Sequence, residues 1–201
     1  MDSPTALLTD RFDNALVFAS QLHRAQVRKG SGSPYIGHLL AVCSLVIENQ
    51  GDEDQTIAAL LHDAVEDQGG KPTLKEIRNR YGDAVAKIVS DCTDAWTDPK
   101  PPWRPRKEAY LAALSTKPAR SLLVSLADKV HNAETILQDF RLVGQEVWGR
   151  FKGGREGTLW NFLSLSTVFH EVLPGPLSDR LDATVRQLSV AIPIEPRLGV
   201  G

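Results

Sequence analysis

Apolar residues recur every three to four positions along most of this chain, and no Val/Ile-rich alternating run interrupts them. That period matches the 3.6-residue turn of an α-helix and argues against a sheet-built core. Phe12, Leu16, Ala19 and Leu22 form one stripe within residues 10–26. Leu39, Val42, Leu45 and Val46 form a second within 38–50. Ile57, Leu60, Leu61, Ala64 and Val65 form a third within 54–66, with Asp52 or Asp54 available as its N-cap. Pro72 and Thr73 open a helix that stops at Tyr81-Gly82, and Val85, Ile88 and Val89 mark another over 83–93. Helical spacing returns at 107–115, from Pro118 through Leu137, over 158–172 and over 178–191. The predicted class is all-α.

Gly and Pro punctuate this pattern. Four prolines in TDPKPPWRPR (97–106) make a continuous helix there unfavourable, so the stretch is read as a surface loop. RFKGGREG (150–157) is read as a second, basic loop, and LPGP (173–176) as a stop. A chain of 201 residues with 42% apolar content suits one domain, placed at 1–192, with residues 193–201 as a C-terminal tail.

Against this background the string LLHDAVED (60–67) stands out. A His-Asp step directly after a buried-type apolar run places two metal-ligand side chains at a helix end. Glu66 follows His62 by four residues, and Asp67 follows Asp63 by four. Both carboxylates therefore return to the same side of a helix as candidate acid/base groups. A solvated acidic helix end accounts for the carboxylates but not for a His-Asp step after Ala58, Ala59, Leu60 and Leu61. His38 opens the preceding helix, at a separation that lets the start of one antiparallel helix meet the end of the next. Asp128 lies inside LADKVHNAETIL (126–137), where an unpaired carboxylate among apolar neighbours is costly. Taken alone, Asp128 reads as half of a buried ion pair; beside HDAVED it reads as a fourth ligand. Two imidazoles and two carboxylates suit Mn²⁺, Fe²⁺ or Zn²⁺ better than the all-oxygen shells of Ca²⁺ or Mg²⁺. Such an ion acidifies water for attack on phosphorus.

Charge narrows the choice of partner. The formal net charge is −2, so no global positive field advertises nucleic-acid binding, and an anionic ligand needs a local basic cluster. Arg104, Arg106 and Lys107 beside Trp103, with Lys152 and Arg155 in the second loop and Lys129 beside Asp128, supply candidates for gripping phosphate. Taken singly, each reads as solvated surface charge. Trp103 and Trp160 are candidates to cover a base, with Trp160, inside GTLWNFLSL, read in preference as a core residue. His23 is assigned to the core or to a position behind the ligands and not to the ligand set, His131 to packing, and His170 to the surface. Cys43 and Cys92 sit in apolar helical contexts and are read as small core residues, not a disulfide. No signal-peptide pattern and no apolar run of about 20 residues is present, so the expectation is a cytoplasmic protein without a membrane partner.

Four strings in order carry a resemblance: RKGSGSPYIGH (28–38), AALLHDAVED (58–67), RYGDAVAKIV (80–89) and LADKVHN (126–132). Together they resemble the HD-domain metal phosphohydrolases, and in particular the hydrolase domain of the RelA/SpoT-homologue alarmone hydrolases in its small stand-alone form. The resemblance covers roughly residues 10–175. It implies an HD-type bundle of about eight to ten helices and a manganese ion on His38, His62, Asp63 and Asp128. It implies that Glu66 and Asp67 position or activate the attacking water, that Asn132 contacts substrate, and that Arg28 and Lys29 pack against the purine. The implied reaction removes pyrophosphate from the 3′ position of (p)ppGpp. Two departures bear on base preference: RKGSGSPYI is one residue longer than the common RKSGxPYI, and Glu134 stands where an Arg is usual. An adenine alarmone, (p)ppApp, is thus an alternative substrate. Another nucleotide phosphatase, acting on NADPH for example, and a catalytically silent nucleotide sensor are alternative functions; the intact Glu66 and Asp67 weigh against the sensor.

Overall fold

The structure is a computed structural model and describes residues 7–96 and 99–190. Ten α-helices and one 3₁₀ helix make up the described residues, with no strand beyond a single bridge between Val27 and Pro34. The helices are α1 (Asp10–Leu22), α2 (Ile36–Glu48), α3 (Glu53–Leu61), α4 (Ala64–Asp67), α5 (Gly70–Tyr81) and α6 (Asp83–Cys92). They continue with α7 (Trp103–Leu114), α8 (Ala119–Val143), the 3₁₀ helix (Gly144–Arg150), α9 (Gly154–Val172) and α10 (Pro176–Val190). The all-α expectation is met.

The bundle is organised around α8, which packs against α2, α3, α6, α9 and α10. Leu122, Val124, Leu126, Ala127, Val130, Ala133 and Ile136 of α8 are all buried, so its apolar residues face several neighbours and not one stripe. α3 is the other central element. Every residue from Gln55 to Leu61 is buried, and full burial of a Leu such as Leu60 or Leu61 contributes roughly 1.5–3 kcal/mol. Its start is set by a capping box: Asp52 Oδ1 accepts from the Gln55 backbone N–H, and Gln55 Oε1 accepts from the Asp52 N–H. Of the two candidate caps, Asp52 therefore holds the position. Cys43 is buried, Cys92 is partly buried, and both are free thiols. Among the described residues, no helix is long and apolar enough to cross a membrane.

Three expectations about elements are corrected. The stretch read as a loop over 97–106 already turns helical at Trp103. Pro105 falls in the first turn of α7, where a missing N–H removes no intrahelical bond. The loop read over 150–157 is instead the end of the 3₁₀ helix and the start of α9 at Gly154, whose φ of +57° suits glycine. The single helix read over 54–66 is two, α3 and α4, parted at His62 and Asp63. The tail from 193 and residues 97 and 98 lie outside the described residues.

Candidate metal centre

The break between α3 and α4 is what builds the site. Consecutive residues of one straight α-helix point about 100° apart, so adjacent side chains cannot converge on one point. At the break His62 keeps helical angles while Asp63 relaxes to φ −94°, ψ −4°, and its carboxylate returns to within 3.1 Å of the His62 Nε2. His38 enters from the first turn of α2, after a tight excursion pinned by backbone bonds from Arg28 N–H to Ser33 O and from Tyr35 N–H to Gln26 O. Asp128 enters from the middle of α8.

Four side chains converge. His38 Nε2 lies 3.2 Å from Asp128 Oδ1 and 3.5 Å from Asp63 Oδ2, and His62 Nε2 lies 3.6 Å from Asp128 Oδ1. One ligand atom from each of His38, His62 and Asp128 falls within 4.8 Å of the others. The Nε2 atoms of His38 and His62 are buried and meet no hydrogen-bond geometry despite the nearby carboxylates. Two buried lone-pair nitrogens without partners, facing two carboxylates, form a donor set that fits a divalent transition-metal cation. The far nitrogens are fixed: His62 Nδ1 lies 2.8 Å from the Ala59 carbonyl, and His38 Nδ1 lies 2.8 Å from His131 Nδ1.

The surroundings favour ionised carboxylates. Burial alone raises a carboxyl pKa, but the His62 imidazole beside Asp63 holds that group well below the usual range. Against the same burial, Lys129 and the two imidazoles hold Asp128 well below its usual range. Burial works to lower the His62 pKa, yet Asp63 and Asp128 hold it well above the ordinary histidine value, so a cation that binds through Nε2 displaces a proton from the site. The Tyr35 hydroxyl donates to Asp63 Oδ2 at 2.6 Å. Lys129 Nζ and Asn132 Nδ2 donate to the two oxygens of Asp128, and Arg28 Nη2 donates to Asn132 Oδ1 at 2.8 Å.

Glu66 and Asp67 stand beside the cluster and do not join it. Lys100 Nζ donates to Glu66 Oε1 at 2.7 Å and approaches Asp67 Oδ1 at 3.4 Å. Gln26 Nε2 donates to Asp67 Oδ2 at 2.9 Å. Burial and the neighbouring Asp94 carboxylate push the Glu66 pKa up. Asp94 itself, despite its burial, is held down to about 2 by Lys107 and its other partners. Its oxygens take Arg106 Nη1 at 2.5 Å and Lys107 Nζ at 2.6 Å. Two adjacent carboxyls with oppositely shifted pKa values are a common setting for proton transfer.

A cavity of about 710 Å³ opens beside this centre. Among the described residues eight cationic side chains line it, against two carboxylates, Asp67 and Asp139. Of the residues expected to touch substrate, Arg28, Lys29, Asn132, Arg106, Lys107 and Lys152 are on its wall. Arg104 and Arg155 are not. The Arg104 guanidinium lies 3.3 Å over the Trp160 ring of α9 and pairs with Glu108, so its charge is engaged away from the cavity wall. Arg106 and Lys107 face the cavity with their charge already shared with Asp94. Trp103 is on the wall, and its ring packs where a Cβ on Gly153 would come within 2.8 Å. Glu134 pairs with Arg180 and does not line the cavity.

Sequence reasoning missed Lys100, Asp94, Tyr35, Tyr110 and Arg150 on or behind this wall. Lys100 lay inside the proline stretch and Asp94 beyond the end of a helix, and neither position carries a periodic signal. Arg150 reaches the cavity by crossing Gly30, whose φ of +96° and absent Cβ leave room for the guanidinium. The extra residue of RKGSGSPYI thus lies in the turn that seats Arg150. His23 is buried behind the site, with Nδ1 2.7 Å from Gln26 Oε1, and His170 is exposed.

The chain is similar to known proteins in sequence and in fold. The HD domain family matches residues 15–159. The human protein guanosine-3′,5′-bis(diphosphate) 3′-pyrophosphohydrolase MESH1 is 36% identical over 155 residues, covering 76% of this chain and 79% of that protein. A guanosine-3′,5′-bis(diphosphate) 3′-pyrophosphohydrolase of Haemophilus influenzae is 33% identical over 126 residues, 60% of this chain but 18% of that longer protein. A solved structure described as a metazoan ortholog of SpoT that hydrolyzes ppGpp superposes with a TM-score of 0.74 at 25% identity, covering 94% of this chain and 99% of that one.

Proposed function

The chain belongs to the HD-domain family, and on that premise we propose that it is a metal-dependent hydrolase that removes pyrophosphate from the 3′ position of (p)ppGpp, leaving GDP or GTP. The observation that carries the reading is the meeting of His38, His62, Asp63 and Asp128 at the edge of a strongly cationic cavity. His38, His62, Asp63 and Asp128 are the proposed ligands, and Mn²⁺ the proposed ion. When bound, such an ion acidifies water and offsets charge on phosphate oxygens.

The protein's own groups supply the rest. Tyr35 holds Asp63, and Lys129 with Asn132 holds Asp128, so the two carboxylates are oriented before substrate arrives. Lys29, Lys107, Lys129 and Lys152 draw the polyphosphate into the cavity. Arg28, tied to Asn132 and lying over Tyr35, offers a flat cationic face to the purine. Asp67 is positioned by Gln26, and Glu66 by Lys100. Together they accept the proton that the attacking water gives up. Oxygen of that water bonds to phosphorus as the bond from phosphorus to the ribose 3′ oxygen breaks, and the proton taken up by the carboxylate pair passes to the departing 3′ oxygen.

Anion-exchange analysis of products from ppGpp, ppApp and NADPH with Mn²⁺ tests the proposal. The expected result is pyrophosphate with GDP from ppGpp, and a ratio of rates for ppGpp and ppApp that changes on Arg28→Ala. Tight nucleotide binding with no hydrolysis of any of the three would overturn it.

A further inference from the structure

We propose that His131 is a positioning residue: it fixes the tautomer of His38 and thereby the hold of the site on its divalent cation. The inference rests on the reading of His38 as a ligand. It starts from the two rings that share the centre. An imidazole binds a cation through an unprotonated nitrogen, so the Nε2 atoms of His38 and His62 require their protons on Nδ1. His62 has that arrangement imposed by the backbone, since its Nδ1 lies 2.8 Å from the Ala59 carbonyl, which can only accept. His38 has no such carbonyl. Its Nδ1 lies 2.8 Å from His131 Nδ1, and the rings sit 4.9 Å apart at 40°. One nitrogen of that pair must donate and the other accept. A donating His38 needs His131 to keep its Nδ1 bare and its own proton on Nε2.

Placement supports the assignment. His131 follows Asp128 by three residues on α8, so one face of one helix delivers a proposed ligand and the partner of another. Lys129 is turned to Asp128 and Asn132 to both Asp128 and Arg28, so the turn 128–132 contacts the centre through four of its five residues. A side chain kept only to fill space needs no nitrogen aimed at His38 Nδ1. His131 is therefore placed to set which His38 nitrogen faces the carboxylates, a job the backbone does for His62.

The test uses His131→Asn, which keeps an acceptor oxygen near the Nδ1 position, and His131→Leu, which has none. Each full-length, chelator-stripped protein is titrated with Mn²⁺, following loss of the free-ion magnetic resonance signal and the rise in Tm. Circular dichroism of the stripped forms checks folding. His131→Leu is expected to bind Mn²⁺ about ten- to a hundredfold more weakly, and His131→Asn to stay within about threefold of the parent. Wild-type affinity in His131→Leu overturns the proposal, as does equal loss in both variants, which marks the ring as packing alone. Should the Leu variant fail to fold, His131→Ala takes its place with the same two outcomes. If the parent protein binds no Mn²⁺, the ligand reading fails first and takes this inference with it; an unchanged variant beside a binding parent removes only the role of His131.

Discussion

At the scale of single residues the proposed site divides into groups assigned to hold the cation and groups assigned to move protons, and substitutions separate them. Asp63→Ala removes an oxygen that approaches both imidazoles. It is expected to abolish Mn²⁺ binding, activity and any rise in Tm on adding Mn²⁺, since a ligand stabilises only the form that binds it. Glu66→Gln leaves those four side chains in place, so it should retain the Tm rise while turnover falls by roughly 10²–10⁴-fold. Equal loss of metal binding in both variants, read by calorimetric titration, would refute the division. On the same reading Asp94 tunes the Glu66 carboxyl. Burial and the Asp94 charge raise the Glu66 pKa, and a base is lost as pH falls through its pKa. Asp94→Asn removes the like charge and frees Arg106 and Lys107, and both changes lower the Glu66 value. The acid limb of the kcat/KM profile should therefore move to lower pH in that variant; a limb that stays put or moves upward counts against the coupling.

Helices and the joints between them decide where those residues meet. α7 is placed by small residues on its partner: Gly153 and Gly157 lie flush under Trp103, which also meets Trp160 edge-on. A Cβ at Gly153 would come within 2.8 Å of the indole ring, a rigid neighbour that cannot swing aside. Gly153→Ala should cost about 1–3 kcal/mol of stability, seen as a lower Tm in thermal unfolding, through overpacking. Because Trp103 lines the cavity, KM should rise as well. An unchanged Tm would show that α7 shifts freely over α9. Element boundaries were legible wherever a cap or breaker spoke for itself, as at Asp52 and at Tyr81-Gly82. They are not legible at Pro105, whose surrounding prolines suggest a loop although it sits in the first turn of α7. At His62-Asp63 the break leaves no Gly or Pro in the sequence, and the contact of Asp63 with His62 and Tyr35 accompanies it.

The whole molecule sets the field the substrate meets. The chain carries a net charge of −2, yet among the described residues its large cavity gathers eight cations against two carboxylates. Attraction of that kind acts over about 10 Å and is screened by salt, so KM for ppGpp should climb steeply between about 50 and 200 mM salt while Tm changes little. A KM insensitive to salt would remove long-range attraction from the account. The all-α class was legible in the order of residues, because periodicity depends on near neighbours, and the HDAVED motif with His38 and Asp128 already marked the candidate ligands that the fold brings together. Which basic groups face the cavity was not legible, since Arg104 and Arg106 are two residues apart and only Arg106 lines it. Nor were the contacts of Lys100 with Glu66, of His38 with His131 and of Arg28 with Asn132, which join residues 34, 93 and 104 positions apart. Such pairings carry no local signal; they exist only after α2, α3 and α8 have buried their apolar faces against one another and carried the polar groups into reach.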